Sequence, residues 1–226
     1  MANIKNRSTK LNSCVLCTNG EYPDGNFLWY RKLCRGKYVV AVDGGYWFCK
    51  KLGVIPDLLI GDFDSIVPFP KSLPQKTQIF PLPREKDMTD THAALVYCLK
   101  SGTQHIDIIM PGVGEPDHFV ANLFLLVLSD SFGTKRTRPC IRLVNPGHEI
   151  VYLRDESYTI QNAIGNSVSV VPLLNTIRLT STGSAYDVSD LLVKRGETRA
   201  VRNEIRRKTA VFTVKGQALL FCHRFK

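Results

Sequence analysis

The sequence predicts an α/β layered domain with a mostly parallel sheet, followed by an antiparallel β-sandwich. Two observations carry this. Over the first two-thirds of the 226 residues, short runs rich in Val, Ile and Leu alternate with helix-like stretches. Strand-helix alternation is the pattern of a parallel sheet covered by helices. After about Asn145 the helix-like stretches give way to short apolar runs separated by Ser, Thr, Gly and Asn, which is the spacing of a small antiparallel sandwich or barrel.

In chain order, the expected strands of the first part are Ser13–Thr18, Tyr38–Val42, Leu58–Ile60, Thr77–Phe80, His105–Met110 and Cys140–Asn145. Most are apolar at both odd and even positions, as strands covered on both faces must be. Helices are expected at Phe27–Cys34, Tyr46–Leu52, Thr89–Lys100 and His118–Leu128. The third is the clearest: Thr89 can cap it, Ala93, Ala94, Leu95 and Leu99 favour helix, and Gly102 stops it. Asn145-Pro146-Gly147 is a turn signal. The expected strands beyond it are Ile150–Leu153, Ser157–Ile160, Ser167–Pro172, Ile177–Thr180, Ala210–Val214 and Ala218–Cys222. The domain reading is therefore 1–146 and 147–226.

Composition narrows the class. A hydrophobic fraction of 44% and a charged fraction of 22% are ordinary globular values and exclude a wholly disordered chain. The net charge of +10 suits an anionic ligand. Lys194, Arg195, Arg199, Arg202, Arg206, Arg207 and Lys208 cluster in one stretch, read either as a solvated basic face or as a patch that attracts polyphosphate. Seven cysteines without regular spacing argue against a disulfide framework, and Cys14-x-x-Cys17 sits inside an apolar run without a second pair at zinc-ligand spacing. They read as core thiols of a reducing compartment. Met1–Lys10 is polar and basic rather than signal-like, and no segment approaches the roughly 20 apolar residues a membrane span needs. The expected location is cytoplasmic.

In open α/β sheets, ligands bind beyond the carboxyl ends of the strands. The residues there are Asn19 and Gly20, then Asp43, Gly44 and Gly45, then Gly61 to Ser65, then Arg84 to Asp87, then Gly112 to His118. This puts Asp43, Asp62, Asp64 and Asp87 on one edge, with Asp90 near. Gathered carboxylates repel unless cations neutralise them. Oxygen ligands suit magnesium, which commonly takes one or two protein carboxylates plus substrate phosphate oxygens. Asp62-x-Asp64 is read as a metal clasp on an extended segment whose alternate side chains face one way.

The ordered set Val42-Asp43-Gly44-Gly45, Pro56-Asp57-Leu58-Leu59-Ile60-Gly61-Asp62-Phe63-Asp64-Ser65 and Lys86-Asp87-Met88-Thr89-Asp90 resembles the motifs of the thiamin pyrophosphokinases. Asp117-His118 with Asn122 resembles that family's later Asp-His…Asn element. The resemblance implies a homodimer with active sites between subunits and a reaction in which ATP and thiamin give AMP and thiamin diphosphate. It implies Asp62, Asp64 and Asp87 as Mg2+ ligands, with Asp43, Lys86, Thr89 and Asp90 lining the ATP and thiamin positions. Asn19, Asp117, His118 and Asn122 would lie near the nucleotide, and Gly44 and Gly45 would let phosphate approach the backbone. Asp90 or Asp43 would take the hydroxyl proton.

Two departures stand out. Glu115 occupies a position where the family commonly has Arg. Arg202-Asn203 replaces the usual Ser-Asn, so that Arg202 either reaches phosphate across a dimer or is surface. In the β domain, Gly183-Ser184-Ala185-Tyr186 partly fits a motif that offers an aromatic ring to thiamin. Two other classes compete: a D-x-D phosphatase using Asp62 as nucleophile, and a basic nucleic-acid-binding protein using Lys194–Lys208. The phosphatase would not need the Asp43 loop or Asp87. The basic stretch lacks interleaved aromatics for base stacking.

Overall fold

The computed structural model describes residues 12–22, 25–112, 115–134 and 137–224. Met1–Lys10 lies outside them. The chain is a mixed α/β protein that divides into two compact units, Met1–Cys140 and Ile141–Lys226.

The first unit is organised by strands β1 (Ser13–Cys17), β2 (Tyr38–Val42), β3 (Leu58–Gly61), β4 (Gln78–Pro81) and β5 (His105–Ile109). They run parallel in the order β5-β1-β2-β3-β4, with registers such as Leu16↔Val40 and Ala41↔Leu59. Successive residues such as Val15 and Leu16, or Leu59 and Ile60, are equally buried. Both faces are therefore covered, and burying each such Leu or Ile contributes roughly 1.5–3 kcal/mol. The connecting helices are α1 (Phe27–Cys34), α2 (Gly45–Leu52), α3 (Asp90–Lys100) and α4 (Pro116–Leu125).

The helix ends follow local chemistry. Thr89 Oγ1 accepts a hydrogen bond from the His92 amide at 3.2 Å and caps α3. Gly53 ends α2 in the left-handed region at φ 67°. The sequence places the fourth helix at His118–Leu128; it starts earlier, because Pro116 suits a first helical turn, and it tightens to a 3-10 turn over Leu126–Ser131. Six cysteines are buried and Cys140 is exposed, and none of the seven is joined in a disulfide.

The second unit comprises β6 (Cys140–Asn145), β7 (His148–Gln161), β8 (Ser167–Pro172), β9 (Thr176–Thr182), β10 (Val188–Lys194), β11 (Asn203–Glu204) and β12 (Thr209–His223), with antiparallel pairing throughout. The strands expected at Ile150–Leu153 and Ser157–Ile160 are one strand, as are those at Ala210–Val214 and Ala218–Cys222. The joints are bulges. Asp155 at φ 50° accepts the Gly216 amide at 2.7 Å, and the β12 register shifts between Val214 and Gln217. On one side of the bulge β12 pairs with β9, and on the other with β8. Val170, Leu179, Phe212 and Leu220 from these strands share one core.

Candidate active site

Three carboxylates converge where β2 and β3 end. One ligand oxygen each from Asp43, Asp62 and Asp64 lies within 4.8 Å of the others. The backbone places them. Asp43 takes a left-handed φ of 47° and donates its amide to the Ile60 carbonyl at 2.8 Å. Gly61, at φ 153°, lies so close that a Cβ there would stand 2.9 Å from Asp43 Cβ, so only glycine fits. Phe63 is left-handed at φ 65°. Asp62 and Asp64 therefore share a side through a turn and not through strand alternation. Asp62 Oδ1 accepts the Asp64 amide at 3.3 Å and fixes that turn.

Lys86 is the cation of the group. Its Nζ donates to Asp62 Oδ2 at 2.8 Å and lies 3.2 Å from Asp90 Oδ1. The Lys86 ammonium holds Asp62 below the usual carboxylate range, and Asp62, followed by Asp90, holds Lys86 above the usual lysine value. Burial pushes Asp90 up despite Lys86 beside it. Arg84 Nη2 stands 3.6 Å from Asp64 Oδ2. Asp43 is buried, and its Oδ1 has no hydrogen-bond partner among the described residues. A carboxylate oxygen withdrawn from water without a donor is costly unless a cation meets it. Hard oxygen donors at this spacing fit a divalent ion of the magnesium class.

The other residues marked by the sequence fall as follows. Asp87 is exposed and stands outside the convergent trio, whereas Asp43 stands within it. Thr89 spends its hydroxyl capping α3. Asn19 donates its side-chain amide to Ser65 Oγ at 3.2 Å, and Ser65 in turn donates to Asp64 Oδ1 at 3.3 Å. Gly44 lies under Asn19, where a Cβ would meet Asn19 Oδ1 at 2.3 Å, and a Cβ on Gly45 would meet the Cys17 carbonyl at 1.9 Å. Asp117 and His118 are exposed in the first turn of α4, where Asp117 Oδ1 accepts the His118 amide. Asn122 is half-buried one turn on, and Glu115 precedes the helix as its N-cap. Val113 and Gly114 lie outside the described residues.

In the second unit, Tyr186 is 76% exposed. Its peptide is clamped by Asn203, whose Nδ2 donates to the Tyr186 carbonyl at 2.7 Å and whose Oδ1 accepts the Tyr186 amide at 3.1 Å. Asp187 Oδ1 accepts both the amide and the hydroxyl of Ser184. Arg202 has a left-handed φ of 62° and donates its amide to Ser169 Oγ. The basic stretch is distributed over the end of β10, a loop, β11 and the approach to β12, with Arg206 paired to Glu204 at 2.9 Å.

From the sequence alone, Trp47 on the short helix Tyr46–Leu52 reads as a packing residue. In the structure it also lines a cavity of about 370 Å³ with Asn19, Glu21, Tyr22, Gly44 and Lys51. Its place two residues after the Gly44-Gly45 turn was the available signal, but one aromatic on a short amphipathic helix reads first as core.

The chain is similar to known proteins of one family. Residues 30–136 match the family model described as the catalytic domain of thiamin pyrophosphokinase. A thiamine pyrophosphokinase of Bacillus subtilis is 28% identical over 196 residues, covering 85% of each chain. The crystal structure of a thiamine pyrophosphokinase from that organism superposes with a TM-score of 0.78 at 24% identity, covering 95% of this chain and 99% of the other. The Candida albicans thiamin pyrophosphokinase gives 0.72 at 14% identity, covering 96% and 91%.

Proposed function

We propose that this chain, a member of the thiamin pyrophosphokinase family, transfers the pyrophosphoryl group of ATP to the hydroxyl of thiamin, giving AMP and thiamin diphosphate. The observation that carries the reading is the meeting of Asp43, Asp62 and Asp64 beside Lys86. An acidic trio with an adjoining ammonium fits a polyphosphate that arrives with its cation, and phosphoryl-type transfer is catalysed mainly by positioning and charge neutralisation.

Asp62 and Asp64, with Asp43 converging on them, would hold Mg2+, and Asp87 is the further ligand that the family resemblance implies. Bound there, the ion supplies positive charge that offsets the charge developing on the transferred group. The hydroxyl oxygen of thiamin attacks the β-phosphorus, the bond from that phosphorus to the α–β bridging oxygen breaks, and AMP leaves with that oxygen. Lys86, held by Asp62 and Asp90, stays protonated and contacts phosphate as a fixed point charge. Asp90 takes the hydroxyl proton. Its burial makes it a stronger base than an exposed carboxylate.

The remaining assignments extend this reading. The parallel unit forms the layered nucleotide and magnesium domain, with Asp117, His118 and Asn122 on its nucleotide side. The second unit forms a β-sandwich that offers Tyr186 to the thiamin rings and supports a homodimer. No helix among the described residues is long and apolar enough to cross a membrane, in keeping with a cytoplasmic enzyme.

The test is product analysis with ATP, magnesium and thiamin. Equal amounts of AMP and thiamin diphosphate are expected, with Asp62→Asn folded but slowed about a hundredfold or more. ATP left untouched, or release of ADP or phosphate alone, would overturn the reading.

A further inference from the structure

Phe63 is the residue whose backbone turns Asp62 and Asp64 to one side, and its own chemistry does not favour the conformation it holds. A bulky side chain at φ 65° is strained, and such a conformation persists only where its surroundings fix it. We propose that residues 66–76, acting through the ring of Phe69, fix it: Phe69 is a positioning residue that sets the spacing of the two carboxylates for a magnesium-sized ion. This rests on the pyrophosphokinase reading of the carboxylates and adds what holds them.

Three features of the chain carry the assignment. The first is anchorage. The Phe63 carbonyl accepts the Ile66 amide at 3.1 Å, and Ile66 is only 1% exposed. Phe63 and, further along, Leu73 pack against one core that includes Tyr22, Tyr30 and Phe48. The segment therefore leaves that core at Phe63 and returns to it at Leu73. The second is contact. The Phe69 ring lies 5.5 Å from the Phe63 ring, tilted at 52°, while Phe69 stays 43% exposed. A ring so open to water adds little to the core, and what it does is cover Phe63. The third is stiffness. Between β3 and β4 these residues form no helix or strand, and Pro68, Pro70 and Pro74 each hold φ at about −65°. A loop constrained in this way keeps its ring in place at little cost in entropy.

The two sides of the turn are then held by different means. On the polar side Ser65, itself bonded by Asn19, donates to Asp64, and the Asp64 amide donates to Asp62. On the apolar side Phe69 keeps the Phe63 ring, and with it the backbone, from relaxing to an extended form. Asp43 converges on the pair from the end of β2 with a buried oxygen that a cation would meet. Ion size gives the spacing its consequence. Magnesium demands near-octahedral geometry at about 2.0–2.1 Å, whereas calcium accepts irregular geometry at about 2.3–2.6 Å. A loosened turn should therefore cost magnesium far more than calcium.

The test uses the full chain without nucleotide or thiamin. Each ion is titrated at constant ionic strength, and its binding is read from the rise in unfolding temperature. In Phe69→Ala the magnesium concentration that gives half the rise should increase about tenfold, and that of calcium less than about twofold. Phe69→Leu, which keeps an apolar cover over Phe63, should restore the wild-type response. Phe63→Gly accepts the left-handed backbone but brings no ring, and should lose magnesium as Phe69→Ala does. Unchanged magnesium binding in Phe69→Ala would overturn the assignment. So would an equal loss of both ions with a lower ion-free unfolding temperature, which makes Phe69 a packing residue. In either case production of thiamin diphosphate by the wild type leaves the reaction intact. A wild type that neither ion stabilises also overturns the proposal, and if it makes no thiamin diphosphate the pyrophosphokinase reading falls with it.

Discussion

The carboxylate edge of the first unit and the Tyr186 turn of the second treat their polar side chains in opposite ways. At the strand ends of the parallel unit, polar capacity is left over. Asp43 Oδ1 is buried with no donor among the described residues, and Asp43, Asp62 and Asp64 face one another with Lys86 on one flank. In the antiparallel unit the polar side chains around the exposed Tyr186 are spent on the fold itself. Asn203 clamps both polar groups of the Tyr186 peptide, and Asp187 holds Ser184 twice. Polar groups are thus left over at the proposed site and consumed at the exposed Tyr186 turn. Removing a polar group should cost activity at the carboxylate edge and stability at the Tyr186 turn.

Asp43→Asn tests the first half and carries the largest expected effect. Asn tolerates the left-handed backbone of this position, and losing one of three converging charges relieves repulsion. Turnover should fall about a hundredfold or more, while the midpoint of thermal unfolding holds or rises. A parallel loss of stability would mean that Asp43 is structural and would break the comparison.

Asn203→Ala tests the second half. Two hydrogen bonds to the Tyr186 peptide disappear, costing about 1–2 kcal/mol, to be read from urea unfolding. With thiamin saturating, kcat should be nearly unchanged while the KM for thiamin rises, because the Tyr186 turn loses its clamp. A lowered kcat with unchanged stability would place Asn203 among the reacting groups.

The smallest effect sharpens the contrast through pH. His148 and His223 face each other across β7 and β12, with ring centres 5.2 Å apart. Burial, then the Arg202 charge, lowers both below the ordinary 6.5, and His148 adds to the lowering of His223. A histidine depressed in the folded state resists protonation that the unfolded chain accepts. Their contribution is therefore complete above about pH 6.5 and is lost as the pH falls through that value toward the folded pKa. The unfolding temperature should drop between about pH 7.5 and 5.5. The double variant His148→Gln, His223→Gln should drop less over the same range.

How much of this was legible in the sequence follows the same division. Runs such as Tyr38–Val42 and Leu58–Ile60 announce buried parallel strands because neither face carries a polar residue, and Thr89 announces α3 through its cap. In the second unit the bulges break the pattern. Arg154-Asp155-Glu156 reads as a loop because Asp155 leaves the strand geometry and its side chain turns back to Gly216. Strand β10 escaped notice for a like reason: Asp190, at φ 51°, shifts its register and pairs with Arg178 at 2.6 Å. At the site the carboxylates were visible in their order, but the turn at Phe63 was not, because a left-handed phenylalanine has no sequence signal. Trp47 escaped because its neighbours in space, Asn19 and Tyr22, come from another strand end.

The long strand β12 also sets a timetable for synthesis. It pairs with β7, β8 and β9, so residues 148–182 have no central partner until residues 209–223 have been made. The parallel strands of the first unit are complete once residue 109 is out. On the ribosome the carboxylate edge can therefore assemble early, while β7 and β9 wait with open edges for about 30–60 further residues, several seconds at ordinary rates of translation. In that interval the second unit is the part of the nascent chain most exposed to mispairing and to capture by chaperones.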